Sequence, residues 1–554
     1  MSEHQIASAL DPDQDGATAS PVSPNSSEQV ESGFDEATYL RAFPDIAEAV
    51  RRGTLASALA HFQRDGRAEM RLERAEYRAL LGAPEAQAPP QVVVDTLTLS
   101  ASDAVLMTGW SDDHLDPLIE ISLEIRPGAT ISWKTFPRLA RGDVERTLDT
   151  GHGHRHGFVT VGPPLARQDI ADLPIGGSTC RPTFRFASGV ITQVWRDPVI
   201  ASDSEVRDLA LAAVQTAVGG QQDPAEIHAI LDQHAGAQIA ALNRHIVSQA
   251  PERRLVERFG PGRAHYQGSI ITSSRGGADQ IVPWLALTGA GTGTGAGSGA
   301  DYEFIVVVTD ADQFAPMLRA ARIAEATLGL PLTIVLHPGG DPAGTGEEAA
   351  SDIVRSGRLI FMDQTILPRD PNWTMRHTRL LDELPPERTR LMGALLYRPD
   401  GTLSQGGYYF ERATSLLRGS RDAPRQITTV ELRALTHPAP SAAGLAQEPR
   451  TVTGVPAAFL SIDRTWFETL GGFTRQYCRG SHEDIDLCLR SLQRGVPAWI
   501  HPLRMWHFER RAPVRPEPSR GGAILNHWLL HRKWDGMIVP DLLGRAPMLP
   551  GTAG

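Results

Sequence analysis

Three carboxylates lie within four residues at Glu483-Asp484-Ile485-Asp486, directly before an amphipathic stretch. Ile485, Leu489 and Leu492 recur at helical spacing, which predicts a helix with one buried face and the acids in its first turn. The free backbone N–H groups and the positive helix end favour negative charge there. An arbitrary acidic first turn most often only caps its helix, and acid–base chemistry is the alternative.

The flanking sequence argues against capping alone. Upstream, an apolar turn ends at Gly471-Gly472-Phe473. Downstream, Gly495 is followed by a predicted short strand over 497–502 and then by Trp506-His507-Phe508. A small-residue strand, a GGF turn, an acidic helix and a strand leading to histidine therefore follow one another in a fixed order.

This order and spacing resemble the C-terminal half of the family 2 glycosyltransferases, which have the GT-A fold. The resemblance makes Asp484 the counterpart of the catalytic base, with Glu483 beside it, and places His507 near the nucleotide diphosphate. It also implies an acceptor side that comprises Gly406, Gly407, Asp486 and Trp506.

The segment FMDQTILPRDPNW (361–373) resembles the family's donor segment with its DxD motif. The resemblance gives Asp363 the first acidic position, and Thr365 stands where the family has its metal-binding aspartate. Asp310 takes the position of an acid that reads the nucleobase, and Ser273 and Arg275 end another strand on the donor side. The alternative is that Asp310 and Asp363 merely terminate buried strands.

The resemblance also implies a divalent cation, Mn²⁺ or Mg²⁺, held by Asp363 and His507. A threonine hydroxyl is a far weaker ligand than a carboxylate for a hard cation, so Thr365 puts this requirement in question. The arginines 504, 510 and 511 could replace the cation's charge directly. Trp506 and Phe508 could pack on sugar or base, or belong to the core.

The strands that must position these residues follow a strand–helix–strand pattern from about residue 264, which predicts a parallel α/β sheet. The predicted strands are 269–273, 303–308, 332–336 and 358–362, and the predicted helices are 316–328 and 347–354. Ligands bind beyond the carboxyl ends of strands in such sheets, where Ser273, Asp310 and Asp363 fall. Asp400-Gly401 predicts a tight hairpin turn, and Gly406-Gly407 permits close backbone approach.

The fold class expected for the whole chain is multidomain, with an α/β GT-A (Rossmann-like) catalytic domain preceded by a small helical module and a β-sandwich. The expected parts are a disordered tail (1–33), the helical module (34–81), a β-sandwich accessory domain (92–200), a helical connector (202–258) and the catalytic domain (264–545). The sandwich prediction rests on short alternating strands between 92 and 195, separated by turns about every ten residues. The helical module resembles one that recurs at the front of bacterial surface-polysaccharide glycosyltransferases, and the sandwich resembles the accessory β-domain found ahead of some family 2 catalytic domains.

Three histidines alternate at His152, His154 and His156. In a strand they would share one face and could bind zinc. A glycine-rich hairpin tip with solvated histidines is the favoured interpretation, because no nearby Cys, Asp or Glu completes a site.

Bulk composition excludes several classes of protein. The formal net charge is −11, from 54 Lys and Arg against 65 Asp and Glu, and there is no basic run, which argues against a nucleic-acid partner. No secretory signal or apolar run of membrane-spanning length is visible, and three cysteines are too few for a disulfide framework. A soluble cytoplasmic location is expected, with peripheral membrane association at most.

The sequence therefore predicts an inverting glycosyltransferase of the hexosyltransferase type. Its donor would be a nucleotide-diphosphate sugar and its acceptor a saccharide or lipid-linked saccharide. The alternative is a catalytically inactive GT-A relative that binds carbohydrate or assists assembly. The altered second DxD position favours this alternative, whereas the intact acidic helix at 483–486 argues against it.

Overall fold

A computed structural model describes residues 34, 36–66, 69, 71, 90–100, 102–126, 129–148, 155–162, 180–217, 228–249, 255–274, 277–290, 301–337, 351–417, 425–434, 436, 448–478, 481–508 and 517–542. Contacts divide the chain into two compact units, residues 1–89 and 90–554. The predicted disordered tail at 1–33 lies outside the described residues. Among the described helices, none has both the length and the apolar character that crossing a bilayer requires.

The first unit contains the short helices expected from its apolar spacing. They are α1 (Glu36–Ala42), α2 (Pro44–Arg51) and α3 (Ala58–His61), followed by a π-helical turn (Phe62–Gly66). Tyr39, Phe43 and Phe62 form their common core, and the Tyr39 hydroxyl is 3.1 Å from His61 Nδ1. Packing of these aromatic side chains holds the three short helices together.

The second unit begins with two facing sheets. Their strands are β1 (Val92–Ser100), β2 (Val105–Ser111), β3 (Leu118–Arg126), β4 (Ala129–Trp133), β5 (Arg138–Leu139), β6 (Gly157–Gly162), β7 (Pro182–Phe186), β8 (Ile191–Gln193) and β9 (Val199–Ala201), with helix α4 (Gly142–Leu148). One sheet has the order β5-β6-β2-β1-β9 and the other β4-β3-β7-β8. Trp133 Nε1 donates across the two sheets to the Val161 carbonyl at 2.9 Å. The predicted strands are confirmed, although β9 joins β1 in parallel.

The histidine-rich segment differs from its prediction at the one position that is described. His156 is fully buried, and its Nδ1 lies 3.0 Å from the Ser111 carbonyl oxygen. A solvated tip is therefore the wrong interpretation for His156, because this residue lies beside β2, at the start of β6. His152 and His154 lie outside the described residues.

Two helices, α5 (Asp203–Ala217) and α6 (Gly236–Gln249), follow the sandwich, and a π-helical turn (Leu231–Ala235) precedes α6. The predicted capping box is confirmed: Ser202 N donates to Glu205 at 2.7 Å, and Glu205 N donates back to Ser202 Oγ at 3.2 Å. Val206, Leu242 and Trp528 belong to one core with the sandwich strands. This core connects the sandwich to the C-terminal helix.

The last residues of the predicted helical connector (202–258) are not helical. Leu255–Phe259 forms strand β10, which pairs antiparallel with the strand at Leu332–Leu336. It is the outermost strand of its sheet, and its sequence, LVERF, places two adjacent charged residues at this exposed edge.

The large sheet has 11 strands and is mixed, whereas the sequence predicted a parallel one. After β10 its strands are β11 (Gly268–Ser273), β12 (Tyr302–Val308), β13 (Leu332–Leu336), β14 (Arg358–Met362), β15 (Ile366–Pro368), β16 (Leu391–Tyr397), β17 (Leu403–Gln405), β20 (Arg450–Val452), β21 (Phe459–Asp463) and β22 (Ala498–His507); β18 (Tyr408–Leu417) and β19 (Arg425–Ala434) form a separate hairpin. Strands β11, β12, β13 and β14 are mutually parallel, and the chain then switches to antiparallel pairs at β14–β21 and β21–β16. Helices lie between β11 and β12 and between β12 and β13, and a second parallel pair, β16–β22, makes the sheet mixed.

The remaining helices are α7 (Ile281–Gly289), α8 (Ala311–Leu328), α9 (Trp373–Glu383), α10 (Pro386–Thr389), α11 (Arg464–Leu470), α12 (Glu483–Gln493) and α13 (Glu517–Met537), followed by a π-helical turn (Ile538–Leu542). Helix α7 has no counterpart among the predictions. The predicted helix at 347–354 is wrong over 351–354, which form a turn, and its other residues lie outside the described part.

Strand directions determine which ends meet at one edge of the large sheet. Because β16 and β22 run parallel to each other and in the sense of β14, the carboxyl ends of β11, β12, β14 and β22 share an edge. Ser273, Asp310, Asp363 and His507 lie at that edge, which we call the carboxyl edge. The opposite edge, where β14 and β16 begin, is the amino edge.

Candidate active site

One loop, residues 453–458, contacts both predicted acidic sites. Its Ala458 carbonyl accepts a hydrogen bond from Asp363 N at 3.0 Å. The preceding residue, Ala457, donates its N–H to Asp484 Oδ2 at 2.9 Å. Asp363 and Asp484 are 121 positions apart in the sequence, and two adjacent loop residues bring them to one place on the carboxyl edge.

Asp484 lies in the first turn of α12 and is only 9% exposed. Its Oδ1 accepts from Ile485 N at 2.8 Å. Burial raises the pKa of the Asp484 carboxyl, and the hydrogen bonds from Ala457 and Ile485 oppose that rise only in part. A carboxylate with a raised pKa and only backbone donors around it is suited to accept a proton.

Tyr408 is a site residue that the sequence did not reveal. Burial and then the negative charge of Asp484, with a smaller effect from Glu483, raise the pKa of Tyr408 well above its usual range. Its backbone pairs with Gly454, donating N–H to the Gly454 carbonyl at 2.8 Å. The phenol therefore stays protonated beside the two acids, of which Glu483 is 5% exposed. The adjacent Gly406-Gly407 pair was the available signal.

The glycines before Tyr408 have a packing role. Both Gly406 and Gly407 are buried, and Gly407 has a φ of +108°. A Cβ at Gly407 would lie 2.7 Å from Val452 Cγ1. A side chain there would displace the strand that leads into the 453–458 loop, so Gly407 supports the acceptor side through close packing.

Asp486, predicted to bind the acceptor, is fully buried and tied to helix α13. Its Oδ1 accepts from Lys533 Nζ at 2.6 Å and from Trp534 Nε1 at 2.7 Å, and its Oδ2 accepts from Arg490 Nε at 2.9 Å. The Tyr477 hydroxyl adds a bond at 3.3 Å. With two cations and two neutral donors committed to it, this carboxylate anchors α12 and is not placed to contact an acceptor.

A third residue of α13 fixes the chain just before α12. Asn526 is fully buried, and its side chain accepts from Cys478 N at 2.8 Å and donates to the Cys478 and Ser481 carbonyls at 2.7 and 3.0 Å. The next residue, His482, has a φ of +73°, a left-handed conformation that is strained for a non-glycine residue. Asn526 therefore holds the turn that directs Asp484.

Four histidines cluster where α13 meets this turn. His527 Nδ1 lies 3.0 Å from His228 Nε2, and His527 Nε2 lies 3.2 Å from His531 Nε2. The His482 ring centroid is 5.8 Å from that of His527. Burial, followed by the charge of His531, lowers the pKa values of His228 and His482 to about 4 and that of His527 well below its usual range.

On the donor side, Asp363 and Thr365 bond to each other. Asp363 Oδ1 accepts from both Thr365 N and Thr365 Oγ1, each at 2.8 Å. Phe508 N donates to the Thr365 carbonyl at 2.9 Å, and His507 pairs with Ile366 across β15 and β22. His507 Nδ1 is 3.2 Å from Ser404 Oγ. Strand pairing thus places Thr365 and His507 together at the carboxyl edge.

The residues predicted to hold a cation do not complete a ligand set. Within the described residues, no group of three or more His, Cys, Asp or Glu side chains is arranged to bind a metal ion. One oxygen of Asp363 already accepts two bonds, and the Thr365 hydroxyl donates its proton instead of offering a lone pair to a cation. The donor set therefore does not fit Mn²⁺ or Mg²⁺ as it stands.

Unsatisfied polar atoms mark the ends of β11 and β14. The Ser273 and Ser274 hydroxyls and both amide atoms of Gln364 are buried and find no hydrogen-bond partner among the described residues. Buried polar groups are almost always paired, so such atoms point to an absent ligand or water. Arg275, which was predicted to lie beside them, is outside the described residues.

The remaining predicted site residues are Asp310, Trp506 and the arginines 504, 510 and 511. Asp310 is exposed and caps α8 through a 2.9 Å bond from Asp312 N, which is the terminating role left open by the sequence. Trp506 is half-buried, with the Arg369 guanidinium 4.5 Å from its ring centroid. Arg369 was not predicted. Arg504 is exposed on β22, and residues 510 and 511 lie outside the described part.

Comparisons with known proteins show only distant likenesses. No family model and no curated protein matches this sequence. Solved structures that resemble it include the mannosyltransferase PcManGT from Pyrobaculum calidifontis in complex with GDP-Man and Mn²⁺, at 12% identity and a TM-score of 0.31, covering 59% of this chain and 81% of that one. GalNAc-T7 with UDP, GalNAc and Mn²⁺ has 12% identity, a TM-score of 0.30 and 44% coverage of both chains. A mycobacterial protein has 13% identity and a TM-score of 0.29, covering 50% of this chain and 82% of that one. At these scores the likenesses decide nothing about this chain.

Replacing Asp486 should destabilise the protein. Asp486→Asn removes the charge that Lys533 and Arg490 compensate, and breaking a buried ion pair costs about 3–5 kcal/mol. Denaturant unfolding should show a loss of that order. Glu468→Gln, which breaks the exposed pair with Arg464, should change the free energy of unfolding by less than about 1 kcal/mol. Equal, small effects would mean that Asp486 is not a buried anchor.

The histidine cluster should make stability depend on acid pH. Because the pKa values of His228 and His482 fall on folding, the unfolded chain binds more protons below its ordinary histidine pKa of about 6.5. The contribution of these histidines to the free energy of unfolding is then fully present above that pH. It is lost as the pH falls from about 6.5 towards 4. Melting temperatures measured across this range should fall less steeply in His228→Asn than in wild type. Replacement of the exposed His265 by Asn should leave the slope unchanged, and equal slopes in all three proteins would contradict the assignment.

Proposed function

We propose that this protein is an inverting glycosyltransferase that moves a sugar from a nucleotide-diphosphate donor to a saccharide or lipid-linked saccharide acceptor. The observation that carries the proposal is the 453–458 loop, which contacts the donor-side Asp363 and the acceptor-side Asp484 through adjacent residues. An in-line displacement needs both substrates held together, and this loop places the two carboxylates accordingly. The motifs at 361–373 and 453–508 support a GT-A domain of the family 2, bacterial surface-polysaccharide type that acts in the cytoplasm.

Asp484 acts as the base in this scheme. It takes the proton from an acceptor hydroxyl while that oxygen attacks the anomeric carbon on the face opposite the diphosphate. Burial of Asp484 brings its pKa closer to neutral pH, which strengthens it as a proton acceptor. The protonated Tyr408 hydroxyl beside the acids can donate to an acceptor oxygen and orient it.

The donor is held at the ends of β11 and β14. The Ser273 hydroxyl and the Gln364 amide offer donors and acceptors that a ribose or nucleobase would satisfy. Because the described residues do not complete a cation site, the leaving diphosphate needs positive charge from side chains. Arg369, exposed and stacked on Trp506, supplies positive charge for the leaving diphosphate at the carboxyl edge.

A second candidate function is carbohydrate binding without transfer. The Thr365 hydroxyl, which donates to Asp363 and leaves the donor side without a metal-binding carboxylate pair, specifically favours it. A binding protein would keep Trp506 and the glycine-packed acceptor side but would show no response to any nucleotide. Thermal shift with UDP- and GDP-sugars separates the two, because only the enzyme should be stabilised by a nucleotide.

Removal of the base should abolish turnover while donor binding is kept. In Asp484→Asn the amide oxygen can still accept a hydrogen bond from a backbone N–H of Ala457 or Ile485, so the first turn of α12 should stay intact. An amide cannot take the proton, and kcat should fall by about 10²-fold or more with nucleotide-sugar affinity unchanged.

Glu468→Gln on neighbouring α11 is the control and should keep wild-type turnover. Asp486→Asn cannot serve as a control because its carboxylate anchors α12. Full activity of Asp484→Asn at saturating donor and acceptor would identify Asp484 as a helix cap and move the base to Glu483.

A carboxylate at residue 365 should restore metal binding. Thr365→Asp adds an ionic ligand beside Asp363, and hard cations prefer carboxylate oxygen to a hydroxyl. The Mn²⁺ concentration for half-maximal donor binding, measured by titration calorimetry, should fall at least about tenfold. Thr378→Asp on α9 provides a control away from the carboxyl edge, and the same half-saturation in all three proteins would show that residue 365 does not face the cation.

A further inference from the structure

A cavity of about 610 Å³ lies at the amino edge of the large sheet, away from the candidate active site. It is lined where β14 and β16 begin and β21 ends, by Arg358, Arg390, Asp463 and Trp466 among others. Ligand sites of proteins have volumes of about 300–1,000 Å³, so this space could hold one or two sugar rings. Neither the proposed transfer chemistry nor the sequence motifs involve it.

A buried cation forms one side of this cavity. Arg358 is only 6% exposed, and its guanidinium donates to Ser461 Oγ at 2.7 Å and to the Ser461 carbonyl at 3.1 Å. Burial lowers its pKa to about 9, so it remains protonated at neutral pH. It forms no ion pair with a described carboxylate, and Asp463, its cross-strand neighbour, acts on it only at longer range. A buried charge without a counter-ion is unfavourable, and an anion in the cavity would offset that cost.

A second cation lies at the cavity mouth. Arg390 is exposed, and its guanidinium lies 5.1 Å from the Trp466 ring centroid. No described residue accepts a hydrogen bond from this guanidinium, so its five N–H donors are available. Among the described residues, one donates a hydrogen bond to the Asp463 carboxylate: Trp466 N, at 2.8 Å, at the start of α11. The lining thus has two cations against one carboxylate, with threonine hydroxyls at Thr389, Thr465 and Thr469.

We propose that this cavity binds an acidic saccharide, a sugar that carries one carboxylate. The excess positive charge of Arg358 and Arg390 attracts the carboxylate, and a planar guanidinium can bind it through two hydrogen bonds. The free oxygen of Asp463 and the threonine hydroxyls match the ring hydroxyls of a sugar. The Trp466 indole adds an apolar surface for a ring face. The site is independent of the transfer step at the carboxyl edge.

The test uses glucuronic acid as the probe and the full-length protein without donor. Titration calorimetry or ligand-observed NMR should detect binding at about 10 mM probe, and Arg390→Gln should weaken it about tenfold or more through the lost charge-assisted bonds. Arg388→Gln is the matched control, because Arg388 is equally exposed and lies 5.1 Å from the Trp499 ring but does not line the cavity. It should change the affinity less than about twofold. Arg358 is left intact because its bonds belong to the core.

Several results would overturn the proposal. They are no binding of glucuronic acid to the wild-type protein, equal losses in Arg390→Gln and Arg388→Gln, or glucose binding as tightly as glucuronic acid. Inorganic phosphate that binds as tightly as glucuronic acid would reduce the cavity to a simple anion site and also contradict the saccharide assignment. Asp484→Asn should bind glucuronic acid as the wild type does, so failure of the proposed transferase activity would not affect this measurement.

Discussion

The first turn of α12 buries three carboxylates within four residues, and much of the C-terminal structure compensates for that burial. Glu483, Asp484 and Asp486 are 5%, 9% and 0% exposed. Burial of an ionised carboxylate is strongly unfavourable unless donors or cations surround it. The free N–H groups of a helix start and Arg490 of the same helix provide part of this compensation, and the rest comes from elements far away in the sequence.

Helix α13 supplies most of that compensation. Lys533 and Trp534 bind Asp486, Asn526 fixes the turn before the acids, and His527 packs beside His482. These contacts hold His482 in a left-handed conformation that an unsupported chain would leave, since strained residues persist only where their surroundings fix them. The strain and the buried charge are thus stabilised by the same helix. The direction of the Asp484 side chain consequently depends on residues more than 40 positions away.

The sequence predicted what local pattern determines. Strands β11 to β14, the capping box at Ser202 and the turn at Gly401 follow from periodicity and turn chemistry. Predictions from the sequence failed where contacts between distant parts of the chain determine the structure. Strand β10 forms because an edge of β13 is available. Asp486 is not placed to contact an acceptor, because Lys533 and Trp534 of a helix more than 40 positions away join Arg490 of its own helix around the carboxylate. Asn526 and Arg369 carry no local signal, since each acquires its role only through a partner distant in sequence, and Tyr408 is indicated only by the glycine pair beside it.

Asp484 and Asp486 show how one helical turn separates two chemical roles. They are two positions apart and therefore point about 200° apart around the helix axis. Asp486 faces α13, where Lys533 and Trp534 bind it. Arg490 of its own helix and Tyr477 bind it as well, so two cations and two neutral donors surround its oxygens and remove it from solvent. Asp484 faces the 453–458 loop, where the Ala457 N–H binds it and burial raises its pKa. A carboxylate neutralised by cations is a poor base, whereas one held by backbone dipoles keeps its affinity for a proton. The same acidic motif thus provides an anchor and a base, and the direction of each side chain decides which is which.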